Sequence, residues 1–176
     1  KNGRTVYDKG GVEPDVISPD TVASNLLLAL VLNNLIFDYA TQYRATHATI
    51  PEAKDFRVND EIYNDFVHFL KDKEYTYTTE TEKVMEELKE VAEDERYFKD
   101  ISALYDSMKK KIEEEKSTEL QKYKAEISDY LASEIISRYY YQKGKYVDML
   151  RCDPEITAAK DLLLNQVRYK SILGQK

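Results

Sequence analysis

The sequence predicts a mainly α-helical protein: a multi-helix, bundle-like domain preceded by a short N-terminal β-hairpin. Helices are indicated by apolar residues that recur at spacings of three and four along most of the chain, and by cap residues or prolines in front of several of these runs. The hairpin is indicated by two short extended runs separated by a pair of glycines. We therefore expect a hairpin over residues 1–17 and an all-α domain over residues 18–176.

The composition is that of a globular protein and shows no signature of nucleic-acid or membrane binding. Hydrophobic residues make up 42% of the chain and charged residues 34%, a balance that suits long helices with one solvated face. The formal net charge of -7 offers no attraction to a phosphate backbone. The longest unbroken apolar run, residues 26–32, is far shorter than the ~20 residues that cross a bilayer. We expect no nucleic-acid partner and no membrane insertion.

The predicted hairpin opens the chain. Its first strand is the run 5–7, its turn contains Gly10 and Gly11, and its second strand resumes at Val12 and ends near Pro14, which has no amide hydrogen to donate. An isolated hairpin is at best marginally stable in water, and the sequence starts without a methionine. The expectation from these observations is that the hairpin belongs to the sheet of a longer protein.

The first helix is predicted to have Ser18 as its N-cap and Pro19 at its first position, and to run to about Arg44. Residues 26–32 are apolar on all sides of this helix. A helix that is apolar all round is enclosed by other elements. We therefore expect this to be the central helix of the domain.

Two further helices follow a proline-containing loop. Asn59 is the predicted N-cap of a helix that runs to about Lys71, and Thr79 with Glu82 has the pattern of a capping box. Between them, residues 74–79 alternate aromatic residues with threonine, which is typical of a short extended piece. The helix after Thr79 carries its apolar stripe at Val84, Leu88, Val91 and Ala92.

Two long helical regions, residues 97–116 and 117–143, repeat the same apolar spacing. They form either one bent helix or a hairpin about residues 113–118, and the absence of glycine and proline between them slightly favours continuity. Gly144 is the predicted C-terminal stop, and Asp153-Pro154 opens a last short helix. The apolar stripe of the first region is Phe98, Ile101, Leu104, Tyr105, Met108 and Ile112.

Residues that carry chemistry are scarce, and we predict no catalytic, metal-binding or cofactor-binding residue. The two histidines, His47 and His68, lie outside any catalytic or zinc-binding spacing. Because Cys152 is the only cysteine, no disulfide can form within the chain. No neighbouring residue in the sequence indicates that its thiol has a low pKa. The acidic runs lack the EF-hand spacing, and the glycine pair at 10–11 is better explained by a tight turn than by phosphate binding.

The abundance of tyrosine is the feature of the composition that is hardest to explain. The chain has 15 tyrosines and 5 phenylalanines but no tryptophan. Tyr139, Tyr140 and Tyr141 are consecutive, and on a helix three consecutive side chains cannot all face one core. We predict that at least one of these rings contacts a neighbouring element, a partner protein or the rest of a longer parent chain, because tyrosine suits half-buried contacts. The alternative, in which all three pack internally, stays open.

Two stretches carry a resemblance to a known family. Residues 3–15, GRTVYDKGGVEPD, resemble the segment near the end of the peptidase core in C-terminal processing peptidases, the tail-specific serine proteases. Lys9 departs from that pattern, since many members have another glycine there. The helical remainder, notably residues 34–40 and 137–144, looks like the C-terminal extension of such peptidases from Bacteroides-like bacteria.

The resemblance implies a periplasmic or secreted parent protein with a PDZ domain and a Ser/Lys catalytic pair. In that family both lie upstream of the Gly-Arg segment, so no residue of this chain inherits a catalytic role. The chain is then expected to be the last hairpin of an excised protease core followed by a non-catalytic accessory domain. Its implied partners are the rest of the parent peptidase chain, a protein substrate or adaptor, or a second copy. A stand-alone helical protein–protein interaction module, unrelated to proteolysis, stays open as the alternative.

Overall fold

The computed structural model describes residues 14–17 and 22–174, and all regular structure in these ranges is helical. The predicted helical class is confirmed. The predicted hairpin falls largely on residues 1–13, outside the described residues, and residues 14–17 contain no strand. The helices are α1 (Asn25–Leu32), α2 (Leu35–Thr46), α3 (Asp60–Leu70), α4 (Glu80–Asp94), α5 (Phe98–Ser117), α6 (Glu119–Lys122), α7 (Lys124–Cys152), α8 (Pro154–Leu164) and α9 (Gln166–Ile172).

The hydrophobic core lies between α1, α2, α3 and the N-terminal part of α7, and we call this assembly the core bundle. Helix α2 packs along α7. Tyr39 lies at its centre, with its ring against Phe66 and Phe69 at centroid distances of 5.1 and 5.6 Å. The buried residues of the bundle are Leu26, Leu27, Leu30, Leu35, Ile36, Tyr39, Ala40, Ala53, Phe56, Tyr63, Phe66, Leu70, Ile127, Leu131, Ala132, Ile135 and Ile136.

The single helix predicted up to Arg44 was wrong, because two asparagines divide it into α1 and α2. The Asn33 side chain donates a hydrogen bond to the carbonyl of Ala29 at 2.8 Å, and Asn34 has a left-handed backbone with φ 58°. Asparagine tolerates this conformation better than most residues and so permits the break. The helices are also not enclosed on all sides, since Leu32 is 79% exposed.

The predicted caps are confirmed for three helices. The Asn59 side chain accepts from the backbone N–H of Ile62 at 2.9 Å at the start of α3. Thr79 and Glu82 form the complete capping box of α4. At α8, the Asp153 carboxylate accepts from two backbone N–H groups, and Pro154 occupies the first turn. The N-cap of α1 is Ser24, and the Ser18 proposed from the sequence lies outside the described residues.

The path from α5 to α7 is bent. Thr118 and Tyr123, which separate α5, α6 and α7, keep near-helical backbone angles of φ -98°, ψ -4° and φ -100°, ψ 18°. These angles change the direction of the chain without reversing it. The sequence left a bent helix and a hairpin open for residues 97–143, and the bent path is the one observed.

The reversal occurs instead inside α7, at Tyr141, where the backbone has φ 56° and ψ -158°. Residues 142–152, the second arm, double back along residues 124–140, the first arm. Lys145 Nζ lies 2.6 Å from Glu134 Oε1, and Arg151 Nη2 lies 3.6 Å from Asp129 Oδ1. A tyrosine in this region of backbone space is strained by about 1–3 kcal/mol.

Gly144 is required by this reversal rather than by a helix end, so its prediction as a C-terminal stop was wrong. A Cβ at position 144 would lie 2.3 Å from Tyr140 Cβ and 2.9 Å from Ile136 Cγ2. No side chain fits at the first of these distances. Gly144 therefore lets the second arm approach the first.

Candidate functional site

The three consecutive tyrosines occupy different environments. The Tyr139 hydroxyl donates to the carbonyl of His47 at 2.6 Å, and the Arg44 guanidinium lies 4.6 Å above its ring. Burial raises the pKa of Tyr139, and Arg44 opposes that rise. The Tyr140 hydroxyl donates to the carbonyl of Pro51 at 3.1 Å. These two rings hold the loop between α2 and α3 against α7.

Tyr141 is the accessible member of the three, with 79% of its surface exposed. Its ring projects from the reversal of α7, whereas its two neighbours satisfy loop carbonyls that have no partner in a helix or sheet. The role of Tyr139, Tyr140 and Tyr141 as an interaction surface stays a prediction. Of the three, Tyr141 is the ring that a partner reaches most readily.

A groove of about 450 Å³ lies beside these tyrosines. Its charged side chains include Lys54, which is already paired with Glu52 at 3.0 Å. The Glu52–Lys54 pair is largely exposed to solvent, and Lys143 is the other charged residue of the lining, so the groove offers no shielded acid–base pair of the kind that catalysis uses. Its lining residues are Glu52, Ala53, Lys54, Tyr140, Lys143, Gly144 and Val147.

A second candidate surface belongs to α4 and α5, which form an antiparallel hairpin. The reversal between them uses Arg96 with φ 66°, and the Tyr105 hydroxyl of α5 donates to Glu86 of α4 at 3.0 Å. The residues buried between the helices are Met85, Ala92 and Tyr105. We call this unit the α4–α5 hairpin.

A charged clasp lies at the base of the hairpin. Lys116 Nζ donates to Glu82 at 3.1 Å and to the carbonyl of Tyr77 at 2.7 Å, and lies 4.3 Å from the centroid of the Tyr77 ring. Burial opposes ionisation of Glu82, but hydrogen bonds from Thr79 and Lys116 lower its pKa overall. The clasp ties the end of α5 to the start of α4 and to the segment before it.

One side of the hairpin exposes six large apolar or aromatic residues. Around the axis of α4, the exposed apolar residues lie about a quarter turn from the buried Met85 and Ala92. Around the axis of α5, Leu104 and Met108 lie about a quarter turn from the buried Tyr105, in the same direction when each helix is viewed from its N-terminus. Because the two helices are antiparallel, both stripes come to the same side. This surface, the hairpin face, consists of Val84 (61% exposed), Leu88 (46%), Val91 (53%), Tyr97 (42%), Leu104 (70%) and Met108 (51%).

The α4 edge of the hairpin face is acidic. Within the described part of the chain, Glu87, Glu90 and Asp94 make no ion pair, whereas Lys111 on α5 is paired with Glu114 and Glu115 at 3.6 and 3.1 Å. The unneutralised charges beside the apolar stripe are therefore carboxylates. A partner with cationic residues at the matching edge would complement them.

The helical spacing indicates the apolar residues of α4 and α5 but not their exposure. Val84, Leu88 and Leu104 follow the helical spacing expected of core positions, yet the residues between the helices include Met85 and Tyr105. A signal was present: each helix has more apolar positions than one neighbouring helix covers. This excess of apolar positions over the surface that one neighbouring helix can cover indicates that part of each apolar stripe stays exposed.

The residues weighed for catalysis and metal binding are spread over separate elements. His47 stacks on Tyr43 at the end of α2, with ring centroids 3.9 Å apart, and His68 is exposed on α3. Cys152 is the last residue of α7. Among residues 14–17 and 22–174, no group of histidine, cysteine and carboxylate residues is placed to hold a metal ion. In the same ranges, the helices are too short or too polar to span a bilayer.

Comparison with known proteins identifies one related family. A family model described as "Probable PDZ-protease, C-terminal helical domain" matches residues 26–163. Searches of curated proteins and of solved structures found no significant match. The matched range runs from α1 into α8 and contains the core bundle, the α4–α5 hairpin and both arms of α7. The chain therefore belongs to the family of C-terminal helical domains of probable PDZ-proteases.

Proposed function

We propose that this chain is the C-terminal accessory domain of a tail-specific, carboxyl-terminal processing serine endopeptidase, and that it has no catalytic role of its own. The domain binds and positions, and the peptide bond is cut by a Ser/Lys pair elsewhere in the parent protein. Membership of a PDZ-protease family supports this proposal, as does the resemblance of residues 3–15 to the end of a peptidase core. The resemblance also leads us to propose a periplasmic or secreted location.

The observation that carries the binding role is the hairpin face. Exposed apolar surfaces of this kind, bordered by polar residues, mark interaction sites in soluble proteins. Leu104 and Val84 are 70% and 61% exposed, although each follows a spacing that normally faces a core. Covering them would remove apolar surface from water and stabilise the complex.

We propose the rest of the parent peptidase chain as the partner of the hairpin face. A domain joined to its partner by a chain experiences an effective concentration of about millimolar, so a modest apolar surface suffices for docking. The acidic edge formed by Glu87, Glu90 and Asp94 selects a cationic border on the partner. A protein substrate, an adaptor or a second copy are the other occupants, and direct binding of this chain to the remainder of the parent distinguishes the parent from all three.

The absence of catalysis is tested by incubating this chain, and separately the full-length parent, with an unstructured peptide that has an apolar C-terminus. We expect cleavage by the full-length parent and none by this chain. Cleavage by this chain alone would overturn the proposal. A parent that never cleaves such peptides would instead favour an interaction module unrelated to proteolysis.

The docking role is tested in the full-length parent with the double substitution Leu88→Glu and Leu104→Glu. We expect reduced cleavage of long protein substrates with the helical content unchanged by circular dichroism. Val167→Glu is the matched control, since Val167 is 82% exposed on α9, outside the hairpin face. Equal effects of the double substitution and the control on cleavage would show that the hairpin face has no docking role.

A further inference from the structure

The reversal of α7 combines three unusual features. A non-glycine residue, Tyr141, carries a positive φ of 56° with ψ -158°. The turn contains no loop, because helical residues flank it directly on both sides. The close approach of the arms depends on the missing side chain of Gly144. Short connections under strain are the sites at which proteins exchange elements between copies.

The contacts between the arms follow a simple rule. Asp129 meets Arg151 and Glu134 meets Lys145, and each pair lies at nearly equal distances before and after Tyr140 along the chain. Two straight α7 helices that cross antiparallel at this residue place the same positions opposite each other. The pairing that closes the arms within one chain can therefore form between two chains.

We propose that α7 has a second, straight conformation in which two copies of this chain exchange their second arms. Tyr141 becomes an ordinary helical residue, and α8 and α9 move with the second arm into the partner copy. The pairs Glu134–Lys145 and Asp129–Arg151 then form between the copies. The inference rests on α7 alone and does not depend on the proposed function.

The equilibrium between the closed monomer and the exchanged dimer depends on contributions that favour each form. Exchange preserves the contacts between the arms and releases the strain at Tyr141 in each copy, but it costs the freedom lost on association. Gly144 opposes the straight helix because glycine is a poor helix former. The exposed ring of Tyr141 lies near the two-fold axis of the dimer, where a tyrosine of the other copy can stack on it.

Two substitutions move the equilibrium in opposite directions. Gly144→Ala adds a Cβ that would meet Tyr140 Cβ at 2.3 Å in the closed form, whereas residues 140 and 144 are ordinary neighbours in a straight helix. Tyr141→Gly removes the penalty of positive φ and favours the closed form. By sedimentation equilibrium we expect Gly144→Ala to associate at least tenfold more tightly than the wild-type chain, and Tyr141→Gly at least tenfold more weakly.

Matched controls separate these effects from helix propensity. Ala125→Gly introduces a glycine at an exposed position of the first arm, and Gln142→Ala introduces an alanine at an exposed position of the second arm. Neither substitution alters Tyr141 or Gly144 themselves, so we expect both variants to associate like the wild-type chain within about threefold. If circular dichroism shows that Gly144→Ala does not fold, the association of Tyr141→Gly is compared with that of Ala125→Gly instead. Weaker association of Tyr141→Gly alone supports the proposal, and equal association of the two variants contradicts it.

Exchange is distinguished from ordinary dimerisation by zero-length carbodiimide coupling of Glu134 to Lys145, whose charged atoms are 2.6 Å apart. Dimers assembled from equal amounts of isotopically light and heavy chains are coupled and digested. We expect the 134–145 link to join light to heavy peptides in about half of the products, with Lys145→Arg as the uncoupled control. A link found only within one chain overturns the proposal, as does a monomeric Gly144→Ala together with a wild-type chain that stays monomeric at millimolar concentration.

Discussion

The core bundle and the α4–α5 hairpin differ in how they use their apolar residues. In the core bundle, Phe66 and Leu131 have no exposed surface, and Tyr39 has 1%. In the hairpin, only Met85, Ala92 and Tyr105 are buried, and six further apolar or aromatic residues face outward. Both units are helical and have strong local signals for their helices. The bundle therefore stabilises the fold, whereas the hairpin keeps apolar surface available for contact.

The largest expected difference is in the cost of truncating a side chain. Phe66→Ala removes a fully buried ring and is expected to lower the free energy of unfolding by about 3–5 kcal/mol. Leu88→Ala, on the hairpin face, is expected to change it by less than about 0.5 kcal/mol. Urea denaturation followed by circular dichroism measures both. Similar losses for the two variants would contradict the division into scaffold and contact surface.

The next effect concerns the clasp at the base of the hairpin. Lys116→Met removes the cation that donates to Glu82 and to the carbonyl of Tyr77. We expect a loss of about 1–2 kcal/mol, because both acceptors are partly buried. Hydrogen exchange should become faster in α4 and α5 and stay unchanged in α2 and α3. Faster exchange throughout the protein would show that the hairpin and the core bundle unfold together.

A smaller effect is the response of the hairpin to acid. The pKa of Glu82 is lowered in the folded protein, so this carboxylate stabilises the hairpin at pH values above its ordinary pKa of 4.5 and loses this effect as the pH falls through the folded value. The change is below about 1 kcal/mol, since the pair is partly solvated. Glu82→Gln should flatten the pH dependence of hydrogen exchange in α4. If the pH dependence of hydrogen exchange in α4 is the same in Glu82→Gln as in the wild type, Glu82 is not its cause.

Much of this fold follows from local sequence signals. Asn59, Thr79 with Glu82, and Asp153 with Pro154 satisfy backbone donors within one helical turn, so their roles can be derived without knowing the neighbours. The apolar residues of α1, α2 and α3 likewise identify the core. The caps are specified by residues close together in the chain, and the predictions for these three caps are confirmed.

The remaining features depend on contacts between distant segments. The reversal at Tyr141 has no local signature, because tyrosine is not a turn residue, and Gly144 acts through the space that it leaves beside Tyr140 and Ile136 rather than through a positive φ of its own. Exposure of the hairpin face depends on how many neighbours the hairpin has, which periodicity does not report.

The central claim, that the hairpin face docks on the rest of the parent peptidase, is tested most directly by isothermal titration calorimetry. This chain is titrated into the separately produced remainder of the parent, as wild type, as the Leu88→Glu and Leu104→Glu double variant, and as the Val167→Glu control. We expect the double variant to bind at least tenfold more weakly, and the control to bind like the wild type. Equal affinities for all three chains would contradict the account.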